Sequence, residues 1–251
     1  MKRFVGKAVI ITGGGRGMGK TCGLAFAEEG AAVAFVDVHR EGIEEAAKKV
    51  VANDGKALAI ICDVSKATEV RSTVDRVVTE FGTIDILINN AGVLRTTTPL
   101  ESISEEEWDL VLNVNLKGMF LFSRAVLPIM RKKQFGKIVN ISSSAGRSTS
   151  ELGGAHYTVS KAGVLGLTRH TAREYGPHGI NVNSICPGLV ETPMIREEAP
   201  REKLDYWLTQ IPLRRFADPN EEANLVLFLA SDQAAYITGA TIDFNGGSLL
   251  L

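Results

Sequence analysis

The sequence predicts an α/β fold: a doubly wound parallel sheet of about seven strands with helices on both faces, in one domain spanning residues 1–251. Three observations carry that expectation. Short, near-continuous apolar runs alternate with longer stretches of helical periodicity, the pattern of strands buried on both faces of a parallel sheet. A glycine-rich turn joins the first run to the first helical stretch, and an acidic residue closes the second run. With 45% hydrophobic residues, 251 residues can bury a core of this kind as a single domain.

Residues 7–12 form a β-branched run and read as the first strand. They lead into Gly13-Gly14-Gly15-Arg16-Gly17-Met18-Gly19, with a helix expected over 21–29. Glycines in such a turn permit positive φ and let a phosphate approach the amides at a helix N-terminus, whose partial positive charge favours an anion. The spacing through Gly13, Gly17 and Gly19 is Gly-x-x-x-Gly-x-Gly, so the commonest dinucleotide fingerprint, Gly-x-Gly-x-x-Gly, is absent. The second strand, 32–36, ends in Asp37, 18 residues after Gly19. An acid there either opens the turn before a helix over 41–52 or accepts hydrogen bonds from an adenosine ribose and repels a 2′-phosphate, which favours NAD over NADP. The glycine turn upstream supports the second.

Further strand and helix pairs follow: strand Ala57–Ile61, helix Ala67–Phe81 and strand 84–88. Ser104 with Glu107 predicts a capping box that opens a helix running to about Lys132, with Asn113 and Asn115 inside it. Strand 137–141, helix 154–175 and strand 180–185 come next. Over 188–218 the pattern breaks. Ligands of open α/β sheets bind beyond the carboxyl ends of the strands, so this insertion is expected to form a lid over the substrate, its short helix turning Trp207 and Leu208 inward. Helix Pro219–Ala230 and strand Thr241–Phe244 close the chain.

The balance of 28 basic against 29 acidic residues gives no reason to expect a nucleic-acid or anionic-membrane partner. Cys22, Cys62 and Cys186 are odd in number, widely spaced and outside any Cys-x-x-Cys pair, which points to neither a disulfide framework nor a zinc site and suits a reducing cytoplasm. The first apolar run is too short for a signal sequence, and no apolar run is expected to reach the length of a membrane span.

Tyr157 and Lys161 lie four apart in the 154–175 helix, so both side chains leave one face about a turn apart. An ammonium beside a phenol favours the phenolate, and Tyr157 could then pass protons near neutral pH. Ser143 follows the 137–141 strand, where its hydroxyl could polarise a carbonyl oxygen beside the phenol. Serines there also serve as turn formers and caps. No metal is needed for such a site.

Four motifs now stand in order along the chain: Thr12-Gly13-x-x-x-Gly17-x-Gly19, Asn89-Asn90-Ala91-Gly92, Tyr157-x-x-x-Lys161 and Pro187-Gly188. Over essentially its whole length the chain resembles the short-chain dehydrogenase/reductase family and its Rossmann-like fold. The resemblance implies that Tyr157 is the general acid/base, that Lys161 lowers its pKa and holds the nicotinamide ribose, that Ser143 orients the substrate oxygen, and that Asn115 holds the water of a proton relay. Gly13, Arg16, Gly17, Met18 and Gly19 would form the cofactor turn, with Asp37 on the ribose. Asp63 and Val64 would flank the adenine. Asn90, Ala91 and Gly92 would line the cofactor, and Pro187, Gly188, Val190 and Thr192 would meet its nicotinamide end. Ser143 precedes Tyr157 by 14 residues, one more than is usual in related members, which leaves Ser142 and Ser144 as competitors.

The expected reaction is reversible NAD-linked oxidation of a secondary alcohol, whether a polyol, a hydroxy acid or a cyclic alcohol. A 3-oxoacyl carrier-protein reductase is the alternative; such enzymes usually use NADPH, and Asp37 argues against it. A non-catalytic dinucleotide-binding redox sensor is a further one, which would need none of Ser143, Tyr157 and Lys161. Arg95 and Arg147 either border the cleft and bind an anionic substrate or are solvated loop residues. The long helices carry apolar residues around most of their circumference, and by resemblance a homotetramer is expected.

Overall fold

The seven apolar runs pair side by side, all parallel, in the order β3-β2-β1-β4-β5-β6-β7. In the computed structural model, which describes residues 2–150, 152–198 and 201–251, the strands are β1 (Ala8–Thr12), β2 (Ala32–Asp37), β3 (Ala57–Ile61), β4 (Ile86–Asn89), β5 (Gly136–Ile141), β6 (Ile180–Pro187) and β7 (Thr241–Phe244). The neighbouring residues Ile10 and Ile11 of β1 point to opposite faces, and both are fully buried. A sheet covered on both sides needs apolar residues at every position, which is why the strands read as unbroken runs.

One face packs against α1 (Gly17–Glu28), α2 (Arg40–Val51) and α9 (Pro219–Ala230) around Phe26, Phe35, Ile43 and Val226. The other packs against α3 (Ala67–Phe81), α5 (Gly118–Lys133) and α6 (Ala155–Tyr175) around Val74, Leu87, Phe122 and Ala172. The chain reverses its direction of winding between β1 and β4. That reversal opens a crevice at the carboxyl ends of these strands, where ligands of such sheets bind.

Several boundaries differ from the expectation. Strand β1 starts at Ala8, and α1 starts at Gly17, so the glycine turn is continuous with the first turn of the helix. The helix expected over 105–132 is interrupted by a π turn at Asn113–Lys117, which divides it into α4 (Glu105–Leu112) and α5. The Ser104 box is half formed: Ser104 Oγ accepts the Glu107 amide at 3.2 Å, but the Glu107 carboxylate turns to Thr97 and His156 instead. A reciprocal capping box forms at Asp218 and Glu221, at the start of α9. The expectation that nothing approaches a membrane span is also corrected. The helical stretch Glu105–Lys133, 29 residues long, is long and apolar enough to cross one. Half of its most apolar window is buried inside the fold, where α5 covers the sheet.

Candidate active site

The glycine turn and the end of β4 are stitched together. Thr12 Oγ1 accepts the Asn90 and Ala91 amides, both at 3.0 Å, and Asn90 Nδ2 donates to the carbonyls of Thr12 and Gly13. A Cβ at Gly19 would collide with the Gly13 carbonyl and with Asn90 Nδ2, so only glycine lets the turn close this tightly. Gly13 has φ +66°, in the left-handed region. Beside this turn lies a cleft of about 300 Å³.

Its walls include Gly13, Arg16, Gly17 and Met18 from the turn, Asp37 from β2, Asp63 and Val64 after β3, and Asn90, Ala91 and Gly92 after β4. Tyr157, Lys161, Pro187, Gly188, Val190 and Thr192 line the other end. Gly19 is not part of the wall; it packs behind the turn. The sequence reading missed Val38, Val93, Val114 and Ile195, apolar wall residues that no spacing rule singles out. Asp37 Oδ2 accepts the Gly15 amide at 2.9 Å and Oδ1 the His39 amide at 3.0 Å, which fixes the carboxylate in the wall and leaves lone pairs free. Arg16 pairs with Glu197 at 3.0 Å and Arg40 with Glu44 at 3.1 Å. A glycine-rich turn at a helix N-terminus, with an acid at the far strand end, fits a dinucleotide.

Of the three serines, Ser142 is buried and donates to the Lys161 carbonyl at 2.8 Å, while Ser144 reaches only a second cavity. Ser143 borders both cavities and is hydrogen-bonded to the Tyr157 phenol. Burial pushes that phenol above its usual pKa, and the bond to Ser143 pulls it part of the way back. The expectation that Lys161 depresses the phenol is therefore not met by the chain alone. Lys161 Nζ lies 5.7 Å from the centre of the Tyr157 ring and donates to the Ile141 carbonyl at 3.0 Å. Desolvation lowers Lys161 itself to about 8, against opposing effects of Cys186 and Glu222.

Asn115 sits in the π turn, fully buried behind the cleft. Its side chain is committed: Oδ1 accepts the Val93 amide at 2.8 Å, and Nδ2 donates to the Val93 carbonyl and to Ser160 Oγ. Any water held here must use the main chain, where a π turn leaves a carbonyl outside the helical ladder. A pair unseen in the sequence supports Tyr157. His156 Nδ1 accepts the Tyr157 amide at 2.8 Å, so its Nε2 carries the proton and donates to Glu107 at 2.8 Å. That bond and one from Thr97 hold Glu107 below the usual carboxylate range.

The 188–218 insertion stands on a pinned neck, in which the Glu191 amide donates to the Ala217 carbonyl and the Ala217 amide to the Leu189 carbonyl. Beyond it, α7 (Pro193–Glu198) and α8 (Arg201–Gln210) pass beside the cleft, with Pro193 and Thr192 near Gly17 and Trp207 buried. Leu208 is only half-buried. Between α8 and the strand ends lies the second cavity, of about 240 Å³. Neither Arg95 nor Arg147 lines it: Arg147 pairs with Asp243 at 2.9 Å, and Arg95 donates to the adjacent Leu94 carbonyl.

A parallel sheet in this strand order, with a glycine turn, an acid on β2 and a Ser-Tyr-Lys cluster at the carboxyl ends, defines a nucleotide-linked oxidoreductase. The chain belongs to the short-chain dehydrogenase/reductase family, whose members bind a nicotinamide dinucleotide: the profile adh_short_C2, described as enoyl-(acyl carrier protein) reductase, matches residues 13–248. The chain is 41% identical to the 3-oxoacyl-[acyl-carrier-protein] reductase FabG of Thermotoga maritima, covering 99% of this chain and 100% of that one. It is 38% identical to levodione reductase of Leifsonia aquatica, covering 98% and 95%. The crystal structure of levodione reductase superposes with a TM-score of 0.92 at 38% identity, covering 98% of each chain. A short-chain dehydrogenase/reductase from Mycobacterium marinum gives 0.94 at 35% identity, covering 99% and 97%.

Proposed function

We propose that this chain interconverts a ketone and a secondary alcohol by hydride transfer with NAD(H), using Ser143, Tyr157 and Lys161. The observation that carries the reading is the position of Ser143 and Tyr157, whose side chains border both the dinucleotide cleft and the second cavity. A carbonyl oxygen placed between the two hydroxyls is polarised by Ser143 and receives its proton from Tyr157. The nicotinamide, when bound, supplies or accepts the hydride. A phenol whose pKa is raised by burial is protonated at neutral pH, which suits reduction. Lys161 holds the ribose, Asn115 braces the segment behind it, and α7 and α8 act as the lid. NAD is favoured because Asp37 faces the cleft and the flanking cations Arg16 and Arg40 are each engaged by a carboxylate.

The test is Tyr157→Phe. The variant should lose at least a thousandfold in ketone reduction while NADH still binds within about threefold of wild type. A variant that keeps most of its activity refutes the assignment, and intact binding with no wild-type turnover on any ketone or alcohol would favour a redox sensor. A second reading, reduction of a 3-oxoacyl carrier-protein thioester, is favoured by the names of the similar reductases. Preferential turnover of such a thioester with NADPH would establish it. We further propose a cytoplasmic homotetramer, supported by three buried free cysteines and by half-exposed Leu110, Phe120 and Val159 on α4, α5 and α6.

A further inference from the structure

Tyr157 is gripped through its main chain at both ends. Its amide donates to His156 Nδ1 at 2.8 Å, sharing the proton with the Gly154 carbonyl at 3.1 Å, and its carbonyl accepts the Ser160 hydroxyl at 2.8 Å. Both grips are held from the helical stretch that α4 opens. His156 Nε2 donates to Glu107 at 2.8 Å, and Ser160 Oγ accepts Asn115 Nδ2 at 3.1 Å.

The His156 contact is chemically directed. The imidazole is fully buried, and its two nitrogens have opposite duties: Nδ1 must stay bare to accept an amide, so the proton belongs on Nε2. Glu107 fixes that tautomer by accepting the Nε2 proton, and its own carboxylate is held ionised by this bond and by the one from Thr97. The second Glu107 oxygen accepts the Thr97 hydroxyl at 3.0 Å. Thr97 belongs to the 94–98 segment, in which Leu94 lines the second cavity and the Arg95 carbonyl accepts the Gly154 amide at 3.0 Å. A Cβ at Gly154 would collide with the Thr97 carbonyl and the His156 ring, so glycine is what lets segment, helix start and imidazole close together.

Resting on the ketone-reduction reading above, we infer that Glu107 and His156 are positioning residues of the reaction: the imidazole holds the Tyr157 main chain so that its phenol stays aligned with Ser143, and the carboxylate ties that alignment to the 94–98 wall of the substrate cavity. Neither side chain lines the cleft or the second cavity, so both act through Tyr157.

The experiment follows NADH oxidation with ethyl 3-oxobutanoate, cyclohexanone and dihydroxyacetone, using wild type, His156→Phe, His156→Asn and His156→Gln. Melting temperature, NADH affinity and the solvent deuterium isotope effect on kcat are read for each. Asparagine places an oxygen where Nδ1 stands and keeps the Tyr157 bond; glutamine keeps a donor towards Glu107 and loses that bond; phenylalanine keeps only a ring. On the best ketone, His156→Phe should lose about 30-fold or more in kcat, with KM and NADH affinity within about threefold of wild type, because a reacting group misplaced by about 1 Å can cost about a hundredfold. Its isotope effect should rise as proton delivery from Tyr157 slows. His156→Asn should recover most of the loss and His156→Gln little; if His156→Phe does not fold, these two carry the test. Glu107→Leu should lose about tenfold in kcat, and adding it to His156→Phe should cost nothing more, since both break one chain of contacts. Equal activity of His156→Asn and His156→Gln, a rise in KM in place of the fall in kcat, an unchanged isotope effect or additive losses would overturn the inference while leaving ketone reduction intact. Reduction of none of the three ketones by wild-type protein that binds NADH would overturn the reading beneath it.

Discussion

Glu222 offers the sharpest test of how this structure is held together. It lies in the first turn of α9, fully buried, and neither carboxylate oxygen has a hydrogen-bond partner among the described residues. Titratable groups near it are Cys22 on α1, whose thiol burial pushes well up, and Lys161 on α6. Desolvation raises Glu222 from 4.5 to about 8, with Lys161 pulling the other way. In the unfolded chain it ionises near its ordinary value. Between these two pH values the folded state therefore holds one more proton, and stability falls by about 1.4 kcal/mol per pH unit. The penalty is absent below pH 4.5, reaches about 3 kcal/mol at pH 7 and levels off near 5 kcal/mol above pH 8. Glu222→Leu removes it and fills the same space with methyl groups. Thermal melting of both proteins from pH 5 to 9 should show the variant ahead by several degrees at pH 7, since each kcal/mol moves Tm by about 2–4 °C in a chain of this size. The gap should widen towards pH 8 and then hold. Glu222→Gln should also lose the pH dependence. A gap that does not change with pH would mean that Glu222 folds ionised and paired, and the reasoning would fail.

Other outcomes are equally definite. Asp37→Ala should cut the NAD over NADP ratio of kcat/KM by about 10–100-fold, the worth of a charge-assisted hydrogen bond; an unchanged ratio removes Asp37 from cofactor selection. Gly19→Ala, which forces a methyl into the Gly13 carbonyl, should cost about 1–3 kcal/mol and weaken NADH binding at least tenfold, as read by melting and by fluorescence titration. Reductive kcat/KM should be flat below pH 8 and decline above it as Lys161 loses its proton, while alcohol oxidation, which needs the phenolate of Tyr157, climbs over the same range. Reduction that accelerates with rising pH would contradict both assignments.

Much of this protein is set by short-range pattern. The seven parallel strands follow from apolar runs that only a sheet covered on both sides can bury, and the glycine turn and Asp37 from spacing along one strand-turn-helix-strand unit. Tyr157 and Lys161 share a face because four residues make about one helical turn. What the sequence could not decide depends on groups brought together from far apart. The choice of Ser143 over Ser142 rests on where α6 docks, since Ser142 is occupied by a carbonyl 19 residues away. Glu107, read locally as half of a capping box, is claimed by His156, 49 residues on, and Arg147 is withdrawn from the substrate by Asp243, 96 residues on. The pKa values of Tyr157, Lys161 and Glu222 lie furthest from sequence reasoning. They are set by the removal of water when helices close over the sheet, an effect of packing that no local spacing encodes.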